Sequence, residues 1–277
     1  KITCCMKNRF SRTIIALLLI VSAGTGIAQA QERTGANEGV LADASLLPLP
    51  VSRVMSEGFF RIENNTAVLA DGNTDQILAR YLNDYIKSSL VPPAGYDSGR
   101  SYARRIILSE SQQAGKKPEG YRITVTGDEV KIEGYDRAGV FYGVQTFLQL
   151  LPVSVYNKGA GDAYPLYDSV LVPCQVIEDY PAFAYRGMML DVARTFSGID
   201  RVKRFIDHMS HHKLNKFHWH LTDDEGWRIE IKSYPKLAEV GGFRGGDSPV
   251  WPIYGAWDRK YGGYFTQEQI REVVGYA

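Results

Sequence analysis

Cysteine is nearly absent from this chain, with Cys4, Cys5 and Cys174 the only three in 277 residues. A disulfide framework is therefore excluded as the main source of stability, and the fold must rest on a hydrophobic core. An excess of charge of either sign is also lacking. The formal net charge of +1 leaves no basic field for a nucleic acid, so no nucleic-acid partner is expected. The apolar run at 14–21 is broken by Ser22 and glycines before it reaches the about 20 residues that span a bilayer. What remains is 44% hydrophobic and 23% charged, an ordinary globular composition.

Residues 1–30 read as an export signal. Lys7, Arg9 and Arg12 precede the apolar run, and Ala28-Gln29-Ala30 forms a small-residue cleavage site. Met6 is the expected start. Cleavage after Ala30 leaves Cys174 as the mature chain's one cysteine, with none placed for lipid attachment. The expected location is periplasmic or secreted, with no membrane partner once the signal is removed. Asn64-Asn65-Thr66 is a glycosylation sequon, relevant only in a eukaryotic secretory pathway.

After a short mature N-terminal segment at 31–50, residues 51–180 mix periods. Ile77, Leu78, Tyr81, Leu82, Tyr85 and Ile86 share one face of a helix expected over 74–90. Tyr121, Ile123 and Val125 alternate, Gly127-Asp128 turns the chain, and Val130 and Ile132 resume the alternation, which predicts a hairpin. A second helix is expected over 136–151, with Val140, Phe141, Val144, Phe147 and Leu148 inward. This pattern is a small α+β domain whose charges read as solvated faces. Residues 156–167 read as a loop.

From residue 181 the rhythm becomes strand, helix, strand. A strand is expected over 188–193, then a helix capped by Asp200 with Val202, Phe205, Ile206 and Met209 at i, i+3, i+4 and i+7, then a strand over 215–222. That is a parallel βαβ unit. Thr266 and Gln269 make a capping box, with Phe265 and Ile270 as a hydrophobic staple, and open another helix. The fold class is thus α/β: a small α+β N-terminal domain followed, over 181–277, by the first two βα units of a truncated TIM (β/α)8 barrel. Two such units cannot close a barrel of eight strands and about 250 residues, so this chain alone is expected to be incomplete and inactive.

Chemistry concentrates in 216–228, KFHWHLTDDEGWR. Phe217, Trp219 and Leu221 form the apolar face of the strand, and His218, His220 and Thr222 the polar one, beside which Asp191 of the preceding strand can point. The two histidines fit an interior hydrogen-bond network that fixes register. His-x-His on one strand face is also a ligand pair of metal-dependent hydrolases, but no third or fourth ligand stands at recognisable spacing, so neither metal nor cofactor is expected. Asp223 and Asp224 follow at the C-terminal end of the strand, where barrel active sites lie. Each fits a loop cap or an acceptor for substrate hydroxyls. Arg194, past the preceding strand, fits a surface ion pair or a fork donating to vicinal hydroxyls.

At these residues the chain resembles glycoside hydrolase family 20, the β-N-acetylhexosaminidases. The resemblance is carried by Ile177-Glu178-Asp179-Tyr180-Pro181, by Arg186-Gly187, by Leu190-Asp191-Val192-Ala193-Arg194, and by the run from Leu214-Asn215 through Asp223-Asp224-Glu225-Gly226-Trp227-Arg228. It implies a catalytic TIM barrel behind a small α+β domain. It also implies that Arg194 and Asp223 bind the terminal N-acetylhexosamine, with Asp191, His218, His220 and Asp224 supporting them. The implied reaction is substrate-assisted retaining hydrolysis, in which the acetamido oxygen attacks the anomeric carbon. The Asp-Glu pair that assists it is expected beyond Ala277, so no catalytic residue is assigned within this chain. The implied partners are glycans ending in N-acetylglucosamine or N-acetylgalactosamine. A non-catalytic glycan-binding relative is the alternative reading.

Overall fold

The structure is a computed structural model that describes residues 40–41, 45–71, 74, 76–90, 104–114, 116–156, 166–248 and 258–277. The export-signal reading and most of the 156–167 loop lie outside the described residues.

The first half builds a mixed sheet with two helices on it. In chain order the elements are β1 (Val40–Leu41), β2 (Ser52–Ile62), β3 (Ala67–Ala70), α1 (Gln76–Ser88), β4 (Arg105–Glu110), β5 (Tyr121–Val125), β6 (Glu129–Gly134), α2 (Arg137–Gln149) and β7 (Val170–Asp179). The sheet order is β1-β7-β5-β6-β4-β3, with β2 also paired to β7. The expected hairpin is β5–β6, with Ile123 opposite Ile132 in antiparallel register. Strict alternation sends Tyr121, Ile123, Val125, Val130 and Ile132 into the core, where they meet Leu82 and Ile86 of α1 and Val144, Phe147 and Leu148 of α2.

The helices start where local chemistry allows. Asp136 caps α2 by accepting from the Gly139 amide at 2.8 Å, and its other oxygen accepts from the Glu119 amide at 3.1 Å. Gly139 lets α2 approach the sheet, because a Cβ there would lie 2.2 Å from the Gly120 carbonyl oxygen. α1 departs from its expected inward face at Ile77, which is 60% exposed, while Ala79 is buried. Ile77 lies in the first turn of α1.

The second half continues with β8 (Gly187–Asp191), α3 (Ile199–His211), β9 (Lys216–His220), a hairpin of β10 (Thr222–Asp223) and β11 (Gly226–Trp227), the short α4 (Lys236–Glu239), a second pair of β12 (Phe243–Arg244) and β13 (Tyr261–Gly262), and α5 (Gln267–Tyr276). β8 and β9 are parallel, with Asp191 beside His220, and α3 is the crossover between them. The apolar face behaves as read: Phe217, Trp219 and Leu221 pack around Val192, Val202, Phe265 and Val273, with the Trp219 and Phe265 rings 4.7 Å apart. The capping box of α5 forms as expected, Thr266 accepting from the Gln269 amide and Gln269 accepting from the Thr266 amide. Asp200 does not cap α3. Gly198 occupies the cap position without a side-chain bond, and Asp200 lies in the first turn, where its charge still favours the helix N-terminus.

One expectation about the first half fails. Glu119 and Asp179 are not solvated surface charges; both reach the N-terminal ends of β8 and β9. Lys213, just before β9, donates to Asp179 at 3.1 Å and to the Tyr121 hydroxyl at 2.6 Å, and that hydroxyl donates to Asp179 at 2.8 Å. Since the Tyr121 proton is committed to Asp179, the Thr146 hydroxyl 2.6 Å away must be the donor to Tyr121. Arg186, just before β8, pairs with Glu119 at 2.8 Å, and the Asn215 amide donates to the same carboxylate at 3.2 Å. Sequence patterning could not expose this, because the partners are 25 to 96 positions apart.

The network is deeply buried, with the Lys213 and Asp179 side chains 9% and 12% exposed. Burial lowers the Lys213 pKa, and Asp179 opposes that shift. Burial first, and then the Asp179 charge, raises Tyr121. Removing one partner leaves the other charge buried and uncompensated. Lys213→Met should therefore destabilise the folded protein by about 3 to 5 kcal/mol in urea denaturation. A loss under about 1 kcal/mol would show that the pair is solvated as an ordinary surface bridge.

Candidate functional site

At the C-terminal ends of β8 and β9 the sequence-expected residues converge on Arg194. The chain turns immediately after β8, and Asp191 holds that turn by accepting from the Arg194 amide at 3.0 Å. Its second oxygen accepts from the Arg194 guanidinium at 2.8 Å. On the neighbouring rim, Asp223 meets another nitrogen of the same guanidinium at 2.8 Å. The third nitrogen, Nε, faces the Glu225 carboxylate at 3.6 Å, an ionic contact too long for a hydrogen bond. One planar cation is thus shared among three carboxylates, and its side chain remains 42% exposed.

Asp223 is itself held from two further directions. Its Oδ1 accepts from the Asp224 amide at 2.8 Å, and its Oδ2 lies 2.8 Å from Nε2 of His220. The Asp224 amide, followed by His220 and the Arg194 charge, keeps the Asp223 carboxyl below the usual carboxylate range. Burial works against the charge on Asp191, but the Arg194 amide and guanidinium outweigh it, and that carboxyl is lowered too. The bond to Asp191, followed by the charges of Asp223 and Glu225, raises Arg194 despite some desolvation.

Not every expected residue joins. Asp191, Arg194, His220 and Asp223 form one connected cluster. His218 is exposed and meets the cluster only through its ring, 5.7 Å from that of His220. Asp224 is exposed and contributes its backbone amide rather than its carboxylate, because it occupies the tip of the two-residue turn between β10 and β11. Among the described residues no group of three or more His, Cys, Asp or Glu is arranged to hold a metal ion.

Three participants escaped the sequence reading. Glu225, the other tip residue, is 7% exposed and turns inward towards Arg194. Arg228 and Arg244 are 0% and 1% exposed, and both donate to backbone carbonyls beneath the cluster. Arg228 folds back under the hairpin because position 226 is glycine: a Cβ there would lie 2.3 Å from its guanidinium. Arginine is rarely fully buried, and carbonyl partners carry no side-chain signature, so no motif spacing announced these two. A hollow of about 640 Å³ opens beside Asp223 and Asp224, lined by Trp227, Tyr234, Leu237 and Val240; Arg194 does not line it.

The lowered Asp223 carboxyl has a defined pH signature. A group whose folded pKa is depressed contributes stability that is complete above its unfolded value, about 3.9, and is lost as pH falls through the folded value. The difference in urea midpoint between the wild type and Asp223→Asn should accordingly be constant above about pH 4 and shrink below it. A difference that stays constant as pH falls through and below about 3.9 would show that Asp223 has no such partners, because its folded and unfolded values would then coincide.

The chain has counterparts among known proteins. Two family models match: "Glycosyl hydrolase family 20, domain 2" over residues 43–180, and "Glycosyl hydrolase family 20, catalytic domain" over residues 183–277. A β-hexosaminidase of Porphyromonas gingivalis is 36% identical over 84% of this chain and 28% of its own length. One of Vibrio furnissii is 37% identical over 85% of this chain and 36% of its own length. Among solved structures, an exo-β-N-acetylglucosaminidase of Vibrio harveyi in complex with N-acetylglucosamine aligns with a TM-score of 0.72 and 34% identity, covering 89% of this chain and 36% of that one. The chain therefore spans about a third of the length of these relatives and includes only part of the catalytic domain. With its two halves matched in order by two domains of one family, and its sheet domain leading into the opening strands of a TIM barrel, the chain belongs to glycoside hydrolase family 20.

Proposed function

We propose that the whole protein is an exported exo-acting β-N-acetylhexosaminidase that removes terminal N-acetylhexosamine by substrate-assisted retaining hydrolysis. The observation that carries this reading is the 2.8 Å bridge between Arg194 and Asp223 on adjacent strand ends. It sets a donor fork and an acceptor side by side, close enough to grip neighbouring hydroxyls of a single sugar ring. Arg194 presents five N–H donors in one rigid plane. Asp191 and Asp223 each take one and Nε faces Glu225, which leaves the second hydrogens of the two terminal nitrogens, on a side chain 42% exposed, to donate to a ligand. Asp223, ionised and fixed by His220 and the Asp224 amide, accepts from a hydroxyl without reorganising. Gripping the outer rim of the terminal sugar orients it and blocks chain extension, which is the requirement for exo action.

The acid/base chemistry belongs to an Asp-Glu pair on a later barrel strand, as the family resemblance implies. The Asp orients the acetamido group while its oxygen attacks the anomeric carbon, and the Glu protonates the leaving oxygen and then activates water. The β-hexosaminidase names of the relatives support the activity, and the N-acetylglucosamine bound in the Vibrio harveyi enzyme supports the sugar. We extend the substrate to glycans ending in N-acetylgalactosamine. The signal read at residues 1–30 supports a periplasmic or secreted location.

The test is hydrolysis of an aryl N-acetyl-β-glucosaminide by the full-length protein. Folded protein without activity would favour a glycan-binding relative instead. Arg194→Ala should raise KM, lower kcat and reduce kcat/KM on the order of 100-fold, as expected when a preorganised donor is lost. An unchanged kcat/KM would remove Arg194 from the sugar site.

A further inference from the structure

Beneath the sugar-facing cluster lie two guanidiniums with no carboxylate of their own. Arg228 and Arg244 are almost fully buried, and among the described residues neither forms an ion pair. Among the described residues, every hydrogen bond they donate goes to a main-chain carbonyl. Arg228 donates to Val192 and Ala193 at 3.1 and 2.7 Å, and also to Gly242 and Gly263. Arg244 donates from one nitrogen to the Glu225 carbonyl at 3.0 Å and from another to the Arg194 carbonyl.

Buried cations without counter-ions are costly, and burial first, then the neighbouring Arg244 charge, pushes Arg228 down to about 10. Their carbonyl partners explain part of their retention. The turn after β8 and the tip of the β10–β11 hairpin leave carbonyls outside any strand ladder, and such groups must find donors. Charge explains more. Asp191, Asp223 and Glu225 cluster around Arg194, and the two buried guanidiniums bring the cations to the same number as the carboxylates.

The geometry points to Arg244 as a positioning residue for Arg194. Its rigid fork ties the backbone of residue 194 to that of residue 225, so it sets the distance between the rim carrying the sugar-binding guanidinium and the rim carrying Asp223. No other side chain bonds the carbonyls of both residues among the described hydrogen bonds. Arg244 is held in turn by its place on β12 and by the Tyr261 ring, 5.2 Å from the guanidinium carbon. A lysine would retain the charge but not the fork, since an ammonium acts as a point charge and does not fix two acceptors in one plane.

This role rests on the sugar-binding reading of Arg194, and a double-mutant cycle on the full-length protein separates the two. The cycle measures kcat and KM on an aryl N-acetyl-β-glucosaminide for the wild type, Arg194→Ala, Arg244→Lys and the double variant. Misplacement of the Arg194 fork should raise KM and lower kcat/KM by about 100-fold in Arg244→Lys. In the Arg194→Ala background the same substitution should change kcat/KM by no more than about twofold, because the group it positions is gone. A purely structural role would instead cost the same in both backgrounds, and that result overturns the proposal, as does wild-type kcat/KM in Arg244→Lys. Wild-type kcat/KM in Arg194→Ala would overturn the sugar-binding reading and this role with it. If Arg244→Lys does not fold, Arg244→Gln, which keeps an amide donor for one carbonyl, is read in the same cycle. Failure of both to fold makes Arg244 a folding residue and overturns the positioning role.

Discussion

A single guanidinium shared among three carboxylates is the interaction on which the rest of this rim depends. Arg194 draws Asp191 from its own strand, Asp223 from the next strand and Glu225 from the hairpin tip to one point. Each of those acids repels the others, so the cluster exists only while the cation stands between them. An isolated exposed pair of this kind is worth little. What sets this one apart is that its members are also held by something else: the Arg194 amide on Asp191, the Asp224 amide and His220 on Asp223, and two buried guanidiniums on the carbonyls beneath.

The two ends of the same strands carry different physics. At the N-terminal ends of β8 and β9, Arg186 and Lys213 are sealed into the sheet domain by Glu119, Asp179, Tyr121 and Asn215. There the charges are paired away from water and fix where the barrel strands begin. At the C-terminal ends the charges keep one face open, with Arg194 two-fifths exposed. A scaffold pinned at one end and presenting polar groups at the other is the division of labour that barrel enzymes use. Met188 and Met189 of β8 are 47% and 52% exposed, so both faces of this strand carry open apolar side chains.

Much of the site was legible because its signals are local. Asp191 and Arg194 lie three positions apart on one strand end, and His220 and Asp223 lie three apart on the next, so each pair meets through geometry that a short stretch of chain determines. His218 and Asp224 carried the same residue types but fell out of the cluster. Strand alternation was read correctly for His218, yet the face it points to is open in this chain, and the hairpin turn directs the Asp224 carboxylate to solvent. Asp200 likewise matched a capping pattern that Gly198 fills two residues earlier.

Sequence by itself determined the elements whose cause is periodic or adjacent: the β5–β6 hairpin, the inward faces of α2 and β9, the capping box of α5 and the family to which the chain belongs. Tertiary structure alone decided which charges are buried. Lys213 with Asp179, and Arg244 with the carbonyls of Arg194 and Glu225, join parts of the chain too distant for any spacing rule. The reason is physical: hydrophobic periodicity is written in neighbouring side chains, whereas the satisfaction of a buried cation depends on oxygens, often backbone oxygens, that only folding brings within reach.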